Sequence, residues 1–122
     1  MSVKPAYICI FVSDLEKSIH FYRDILGLTM IEERETERFK PFHFGSIVLG
    51  LEPIKEWMVS TQNKNPFLLQ LTVDSIEELQ GETQKLKRQG VTLTQEVSEH
   101  SFAYVSTFLD PDGNRIEIIC LK

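Results

Sequence analysis

Glu117 is the side chain of greatest chemical interest, because it stands alone among apolar residues in the stretch "RIEIICL". A carboxylate in such a setting can bind a metal ion, remove a proton from a carbon next to a carbonyl, or serve only as a structural group. Its predicted structural partners are Arg115, two residues away on the same face of a strand, and the hydroxyl of Tyr7. The sequence leaves these interpretations open.

Three further side chains could do chemistry if they face a binding site. As a histidine, His43 could act as a general base, or it could be a surface residue of a hairpin. Cys9 would be nucleophilic only beside a cation or a helix N-terminus, so an inert thiol is the favoured interpretation. Tyr7 could donate a proton to a bound oxyanion, or it could simply pack against a cavity wall. No CxxC or HExxH spacing occurs.

The elements that position these residues belong to an ordinary globular chain. Its 122 residues, 42% hydrophobic and 25% charged, suit one compact domain. The net charge of -5 and the lack of a basic stripe predict no nucleic-acid partner. The longest apolar run, "AYICIFV", is too short to span a membrane, and no signal-peptide pattern occurs, so we expect a cytoplasmic protein without membrane contact. Cys9 and Cys120 lie in strand-like runs and are predicted to be reduced thiols.

The first half of the chain predicts the order β, α, β, β, β. "AYICIFV" is a strand, and "SDLEKSIHFYRDILGL" is a helix with Ser13 and Glu16 at capping-box spacing and Gly27 at its end. "LTMIEERE" alternates as an exposed strand, and "FKPFHFGSIVLGLE" predicts a hairpin that turns at Gly45 and Ser46. The apolar stripe of the helix is formed by Leu15, Ile19, Tyr22 and Leu26.

The second half repeats this order. "PFLLQLTV" is a strand, and "DSIEELQGETQKLKRQG" is a helix with Asp74 and Glu77 at the capping positions and Gly90 at its end. Three strands follow in "VTLTQEV", "FAYVSTFL" and "NRIEIICL". The helical stripe consists of Ile76, Leu79, Thr83 and Leu86.

Two βαβββ modules, about 5–52 and 67–121, are therefore predicted to form a single domain, 1–122, with a linker at 53–66. A module of this size buries too little surface to be stable alone. We expect an α+β fold in which the two curved sheets form a shared cleft and the helices lie outside.

Alternation along each strand predicts which side chains face the cleft, because the fully apolar set should meet the helix. The two-residue turn of the first hairpin sets His43 opposite Val48, and a four-residue turn at 110–113 sets Ser106 opposite Glu117. Glu117 is the catalytic candidate. The predicted ligand-binding residues are Tyr7, Cys9, Phe11, His43, Val48, Glu52, Leu68, Gln70, Tyr104, Ser106, Phe108, Arg115 and Ile119.

The duplicated pattern, with "VSDLEKSIHFYRDILGL" near the start and "FLDPDGNRIEI" near the end, resembles the vicinal oxygen chelate superfamily. That family includes glyoxalase I, bleomycin-resistance proteins, fosfomycin-resistance enzymes and extradiol dioxygenases, and the resemblance spans nearly the whole chain. It implies a divalent metal held by side chains of four equivalent strands. These four positions fall on Tyr7, Gly50, Leu68 and Glu117.

Of these four residues, only Glu117 is a usual metal ligand. One carboxylate without an imidazole is a weak donor set, so no cofactor is predicted, and a divalent metal remains the alternative. A rearranged metal site would use His43, Glu52 and Glu117.

Three functions are compatible with the sequence. The first is a metal-free protein that binds a small, partly aromatic or amphipathic molecule, as the bleomycin-resistance branch does; the resemblance then implies a homodimer. The second is a metal-dependent lyase, isomerase or dioxygenase of the glyoxalase class that uses Glu117. The third is a regulatory or interaction module whose cleft is filled by its own side chains, since a fold alone does not specify function.

Overall fold

The structure, a computed structural model, describes residues 7–54 and 68–122. The chain divides into two compact units, Met1–Gln62 and Asn63–Lys122. The predicted linker lies outside the described residues from position 55 onward. Within the described ranges, no helix has the length and apolar character needed to cross a membrane.

The first unit is a three-stranded sheet with one helical segment. Strand β1 (Tyr7–Val12) pairs in parallel with the central strand β3 (Ile47–Pro53), and β2 (Lys40–Phe44) pairs with β3 in the antiparallel direction. The helix continues as a π-helical segment, so that Phe21 and Tyr22 are both buried together with the predicted stripe residue Ile19. The elements are β1 (Tyr7–Val12), α1 (Leu15–Ile19), the π-helical segment (His20–Ile25), a 3-10 turn (Glu32–Arg34), β2 (Lys40–Phe44) and β3 (Ile47–Pro53).

The predicted exposed strand "LTMIEERE" is wrong. Met30 forms only an isolated bridge with Phe42, and the charged residues Glu32–Arg34 turn into a 3-10 helix. Residues 32 to 38 are all exposed, so no buried side chain holds them in an extended register against β2.

The second unit is a four-stranded sheet with one longer helix, α2 (Ile76–Arg88). In spatial order its strands are β4 (Leu68–Thr72), β7 (Arg115–Leu121), β6 (Ala103–Leu109) and β5 (Leu93–Glu99). The helix packs on β5, β6 and β7. Three of the four predicted stripe residues of this helix, Leu79, Thr83 and Leu86, are buried, and the fourth, Ile76, is half-buried. The elements are β4 (Leu68–Thr72), α2 (Ile76–Arg88), β5 (Leu93–Glu99), β6 (Ala103–Leu109) and β7 (Arg115–Leu121). Together, the two mixed sheets and their helices confirm the predicted α+β class.

Both helices begin one residue later than predicted. Asp14, rather than Ser13, accepts the hydrogen bond that caps α1, from the backbone N–H of Lys17 at 3.1 Å. Ser75, rather than Asp74, caps α2 in the same way. Each pair offers two capping residues side by side, and the hydrophobic stripe that follows does not decide between them.

The face of each sheet opposite its helix is called its open face. In the second unit the helix side is fixed by Ser106, whose hydroxyl lies 2.9 Å from that of Thr83 in α2. Since side chains alternate along a strand, Val105, Thr107 and Leu109 lie on the open face.

The register of the last hairpin differs from the prediction by one residue. Leu109 pairs with Arg115, so the loop has five residues, 110 to 114, and Glu117 is opposite Thr107 instead of Ser106. The loop is organised around Asp110, whose carboxylate accepts hydrogen bonds from the backbone of Asp112 and from both the backbone and side chain of Asn114. A one-residue slip moves every side chain of the strand to the other face.

Candidate functional site

Four polar side chains cross the open face of the second sheet at one level. The register pairs Gln70 of β4 with Glu117 of β7. It continues from Glu117 to Thr107 of β6, and from Thr107 to Gln95 of β5. Directly opposite residues point to the same face. We call Gln70, Glu117, Thr107 and Gln95 the polar row.

Glu117 is half-buried and is held by one side chain of the row. The amide nitrogen Nε2 of Gln70 donates a hydrogen bond of 2.8 Å to Oε1 of Glu117. A carboxylate only accepts hydrogen bonds, so this contact fixes the orientation of the amide and leaves its carbonyl oxygen available. Among the described residues no other hydrogen bond or ion pair reaches Glu117, so Gln70 takes the place of the predicted partners Arg115 and Tyr7.

The levels on either side of the polar row are mainly apolar. They contain Thr72, Ile119 and Val105 on one side, and Leu68, Arg115 and Leu109 on the other. Arg115 and Leu68 are exposed, whereas Val105, Leu109 and Ile119 are half-buried. The open face thus presents the carboxylate of Glu117 in a polar row between mainly apolar side chains. The guanidinium of Arg115 lies two residues away on the same strand.

Three predicted ligand-binding residues lie on the wrong side of the sheet for that role. Tyr104, Ser106 and Phe108 are opposite Cys120, Ile118 and Ile116, which form the helix side of β7. Ser106 and Phe108 are fully buried, and Ser106 donates to Thr83, whose own hydroxyl donates to the carbonyl of Leu79 at 2.7 Å. The cause is the last hairpin loop, which has five residues where four are predicted.

The open face of the first sheet carries an aromatic cluster over a glycine. The ring of Phe39 lies so close to Gly50 that a Cβ added there would be 2.5 Å from its Cε1. Tyr7 meets the same ring edge to face, with 5.5 Å between ring centroids. A turn holds Phe39 in place, since its backbone N–H donates to the hydroxyl of Thr36. We call Tyr7, Phe39 and Gly50 the aromatic cluster.

The remaining predicted residues of the first unit lie on this open face as expected, but they are spread along it. His43 is opposite Val48, as predicted, and Glu52 is opposite Phe11. Glu52 is four positions beyond Val48 on β3, so the two side chains are about 13 Å apart along the strand. Cys9, opposite Gly50, is exposed.

The donor set does not fit the metal that the resemblance implies. Tyr7 and Leu68 offer no imidazole, and at Gly50 the ring of Phe39 takes the space that a ligand side chain would need. Within residues 7–54 and 68–122, no three His, Cys, Asp or Glu side chains are grouped for a metal ion. Metal-dependent chemistry at these positions therefore lacks its ligands.

Three residues of the candidate site were not predicted from the sequence: Phe39, Thr107 and Gln95. A glycine inside an apolar strand signals the close approach of another group, and Gly50 could have pointed to Phe39 in that way. Thr107 and Gln95 depended on the loop length and on the register shifts of β5, for which the sequence carries no clear signal.

A groove of about 420 Å³ lies elsewhere in the second unit, between α2 and β5. Two of its polar groups are already matched: Thr83 bonds to Ser106, and Glu96 pairs with Lys87 at 2.8 Å. None of the predicted site residues lines it. The lining residues are Gln80, Thr83, Gln84, Glu96 and Val97.

Comparison with known proteins agrees with the arrangement of strands and helices. Glutathione transferase FosA from Serratia marcescens is 30% identical over 113 residues, which are 92% of this chain and 77% of that protein. A solved glyoxalase/bleomycin resistance protein/dioxygenase family enzyme from Burkholderia phytofirmans PsJN has a TM-score of 0.85 at 23% identity, over 96% of this chain and 98% of its own. TnmS3, an antibiotic binding protein from Streptomyces sp. CB03234, has a TM-score of 0.77 at 20% identity, over 100% and 99% of the two chains.

The family assignment rests on a match over almost the whole chain. The model of the Glyoxalase/Bleomycin resistance protein/Dioxygenase superfamily matches residues 4–118. The polar row and the aromatic cluster lie within that match, which covers most of both units. The chain therefore belongs to the Glyoxalase/Bleomycin resistance protein/Dioxygenase superfamily.

Proposed function

We propose that this protein binds a small organic molecule on the open face of its second sheet and does so without the four-ligand metal site of its family. The observation that carries the proposal is the hydrogen bond from Gln70 to Glu117, which holds a half-buried carboxylate in a mainly apolar surface. Binding sites for small molecules combine apolar walls with a few oriented polar groups in this way.

The aromatic cluster supports the same proposal for the first unit. Phe39 is half-buried and Tyr7 is 50% exposed, so the pair presents ring surface while covering Gly50. Exposed aromatic surface of this kind suits a flat or amphipathic ligand. The other proposed ligand contacts of the first unit lie on the same face as the cluster: Cys9, Phe11, His43, Val48 and Glu52.

Two of the related proteins indicate where the search for ligands should start. TnmS3 is an antibiotic binding protein, and FosA is a glutathione transferase. We therefore propose antibiotic-like aromatic compounds as the first class to test, followed by thiol-containing peptides.

Screening by thermal shift, followed by 15N–1H NMR titration of hits, tests the proposal. A genuine ligand should move amide signals of β4 and β7, and Glu117→Gln should weaken its binding about tenfold or more. The matched control is Glu82→Gln, an exposed carboxylate on α2 outside the open face. If no compound from either class moved these amides, or if Glu82→Gln weakened binding equally, the proposal would fail.

A second candidate is an enzyme of the glyoxalase class, favoured by the carboxylate that remains at position 117. In this alternative Glu117 removes a proton from a carbon next to the carbonyl of the bound compound. Turnover of a hit, lost in Glu117→Gln while binding persists, would favour it. Binding without turnover would favour sequestration.

Assembly as a homodimer is also part of the proposal and rests on the family resemblance. Light scattering coupled to size-exclusion chromatography should give twice the chain mass of 14.1 kDa. A monomer at micromolar concentration would remove this part while leaving the binding proposal intact.

A further inference from the structure

We propose that the ligand presents a protonated amine to Glu117. This inference rests on the proposed function, and it specifies the chemical class of the ligand at the polar row. It follows from which hydrogen-bonding groups of the row are already used and which are left available.

The polar row is rich in acceptors. Gln70 uses an N–H on Glu117, and Gln95 uses an N–H on the hydroxyl of Ser98 at 2.9 Å, so the carbonyl oxygen of each amide remains available. Oε2 of Glu117 receives no hydrogen bond from the described residues. A primary ammonium carries three donors and no acceptor, which complements such a row.

The charge at the centre of the row points in the same direction. Glu117 is half-buried, and the neutral amide of Gln70 leaves its negative charge uncompensated. Partial loss of water makes an unpaired charge unfavourable, and a ligand cation relieves that cost, whereas a ligand carboxylate increases it. A neutral hydroxyl gives an intermediate result, because it donates one hydrogen bond without a charge.

Arg115 is the other charged group on this open face. It stands two residues from Glu117 on the same strand, about 7 Å away along β7, and it is exposed. Its repulsion of a bound ammonium is therefore weakened by water and salt. The apolar residues of the flanking levels would cover the hydrocarbon part of the amine.

Three probes of nearly equal shape test the inference: 2-phenylethylamine, 2-phenylethanol and 3-phenylpropionate. Each is titrated at pH 7 into the full chain and followed by 15N–1H NMR. We expect 2-phenylethylamine to bind at least about tenfold more tightly than the other two probes, with shifts centred on β4 and β7. Glu117→Gln should abolish the preference, whereas Glu82→Gln, an exposed carboxylate on α2, should retain it.

Two results would contradict the inference, and they can be distinguished. If the alcohol or the carboxylate bound as tightly as the amine at the same amides, the amine preference would be wrong while small-molecule binding would stand. If none of the three moved the amides of β4 and β7, the inference and the binding proposal would both fall. Unchanged dispersion of the Glu117→Gln spectrum shows that the variant is folded.

Discussion

Gly50 lies at one of the four positions where the family resemblance implies a metal ligand, and the ring of Phe39 leaves no room there for a side chain. A side chain at this position would collide with the ring of Phe39, so replacement by alanine must displace the ring or the strand. We expect Gly50→Ala to destabilise the protein by about 1–3 kcal/mol, the usual cost of overpacking. Urea denaturation measures the loss.

The double variant Phe39→Ala/Gly50→Ala separates overpacking from any other effect of the alanine. Removing the ring opens the space, so Gly50→Ala should cost less than half as much in that background. Equal costs in both backgrounds would show that contact between Phe39 and Gly50 does not limit this position.

Ser106 and Thr107 are neighbours with opposite roles, because they face opposite sides of β6. Ser106→Ala removes the bond to Thr83 and should lower stability by about 0.5–1.5 kcal/mol without changing the binding of 2-phenylethylamine. Thr107→Val should instead alter binding, since Thr107 stands beside Glu117. The reverse pattern in thermal melts and titrations would argue for the four-residue loop.

At the scale of the elements, hydrophobic alternation predicted the strands well. The fully apolar set of each strand was predicted to meet the helix, and Ile10, Leu49 and Leu69, which belong to those sets, are buried. Alternation is a local property with a period of two residues, and it can be counted directly in one chain. It correctly placed Glu117 and Gln70 on one face, which is the centre of the candidate site.

What the sequence did not predict depended on loop geometry and long-range contacts. The stretch 110–114 allows a turn of four or five residues, and the choice depends on the three hydrogen bonds to Asp110. The same applies to Phe39, which reaches Gly50 across the sheet from outside β2. Composition and periodicity contain no information on either contact.

The loop makes a direct prediction, because Asp110 is buried and accepts three hydrogen bonds. Asp110→Ala should lower the free energy of unfolding by about 2–4 kcal/mol, as several bonds to one charged group are lost. Pro111→Ala, an exposed position in the same loop, is the control and should change stability by less than about 1 kcal/mol. Similar losses in both variants would show that Asp110 does not organise the loop.

The ends of β5 and β7 are linked by an ion pair that should respond to pH. Lys122 Nζ lies 2.7 Å from Oε2 of Glu99, and its hydrogen bond lowers the pKa of Glu99 below the usual glutamate value. A lowered pKa in the folded state means that the stabilisation is present above the unfolded pKa and is lost as pH falls through the folded pKa. Both side chains are partly exposed, so the effect should be small.

Thermal melts of wild type and Glu99→Gln from pH 7 to pH 3 test this link. Wild type should melt slightly higher at pH 7, and the difference should vanish at the acidic end and shrink in 1 M salt. A difference that persisted at pH 3 would assign it to packing instead of charge.

At the scale of the whole molecule, both units begin with a strand followed by a helix, but the first sheet has three strands, the second has four, and their open faces differ. The first sheet presents the aromatic cluster, and the second presents the polar row around Glu117. Gly50 and Glu117 occupy equivalent points of the two sheets. Tyr7, the first residue of β1, pairs with Val48, and Gly50 is two positions further along β3. Leu68, the first residue of β4, pairs with Arg115, and Glu117 is two positions further along β7. Corresponding positions of the two sheets thus carry different chemistry, as expected when function depends on sites rather than on folds.

Divalent ions give the last and broadest prediction. A metal that binds the folded state and is present at one hundred times its dissociation constant stabilises it by about 2.7 kcal/mol, which a thermal melt detects easily. Because Tyr7, Gly50 and Leu68 supply no usual ligand, we expect Ni, Zn, Mn, Fe and Mg ions to leave the melting temperature of chelator-treated, untagged protein unchanged. Elemental analysis should likewise find less than one ion per chain. A stoichiometric ion, or a rise in melting temperature that Glu117→Gln abolishes, would mean that Glu117 recruits ligands from outside the four family positions.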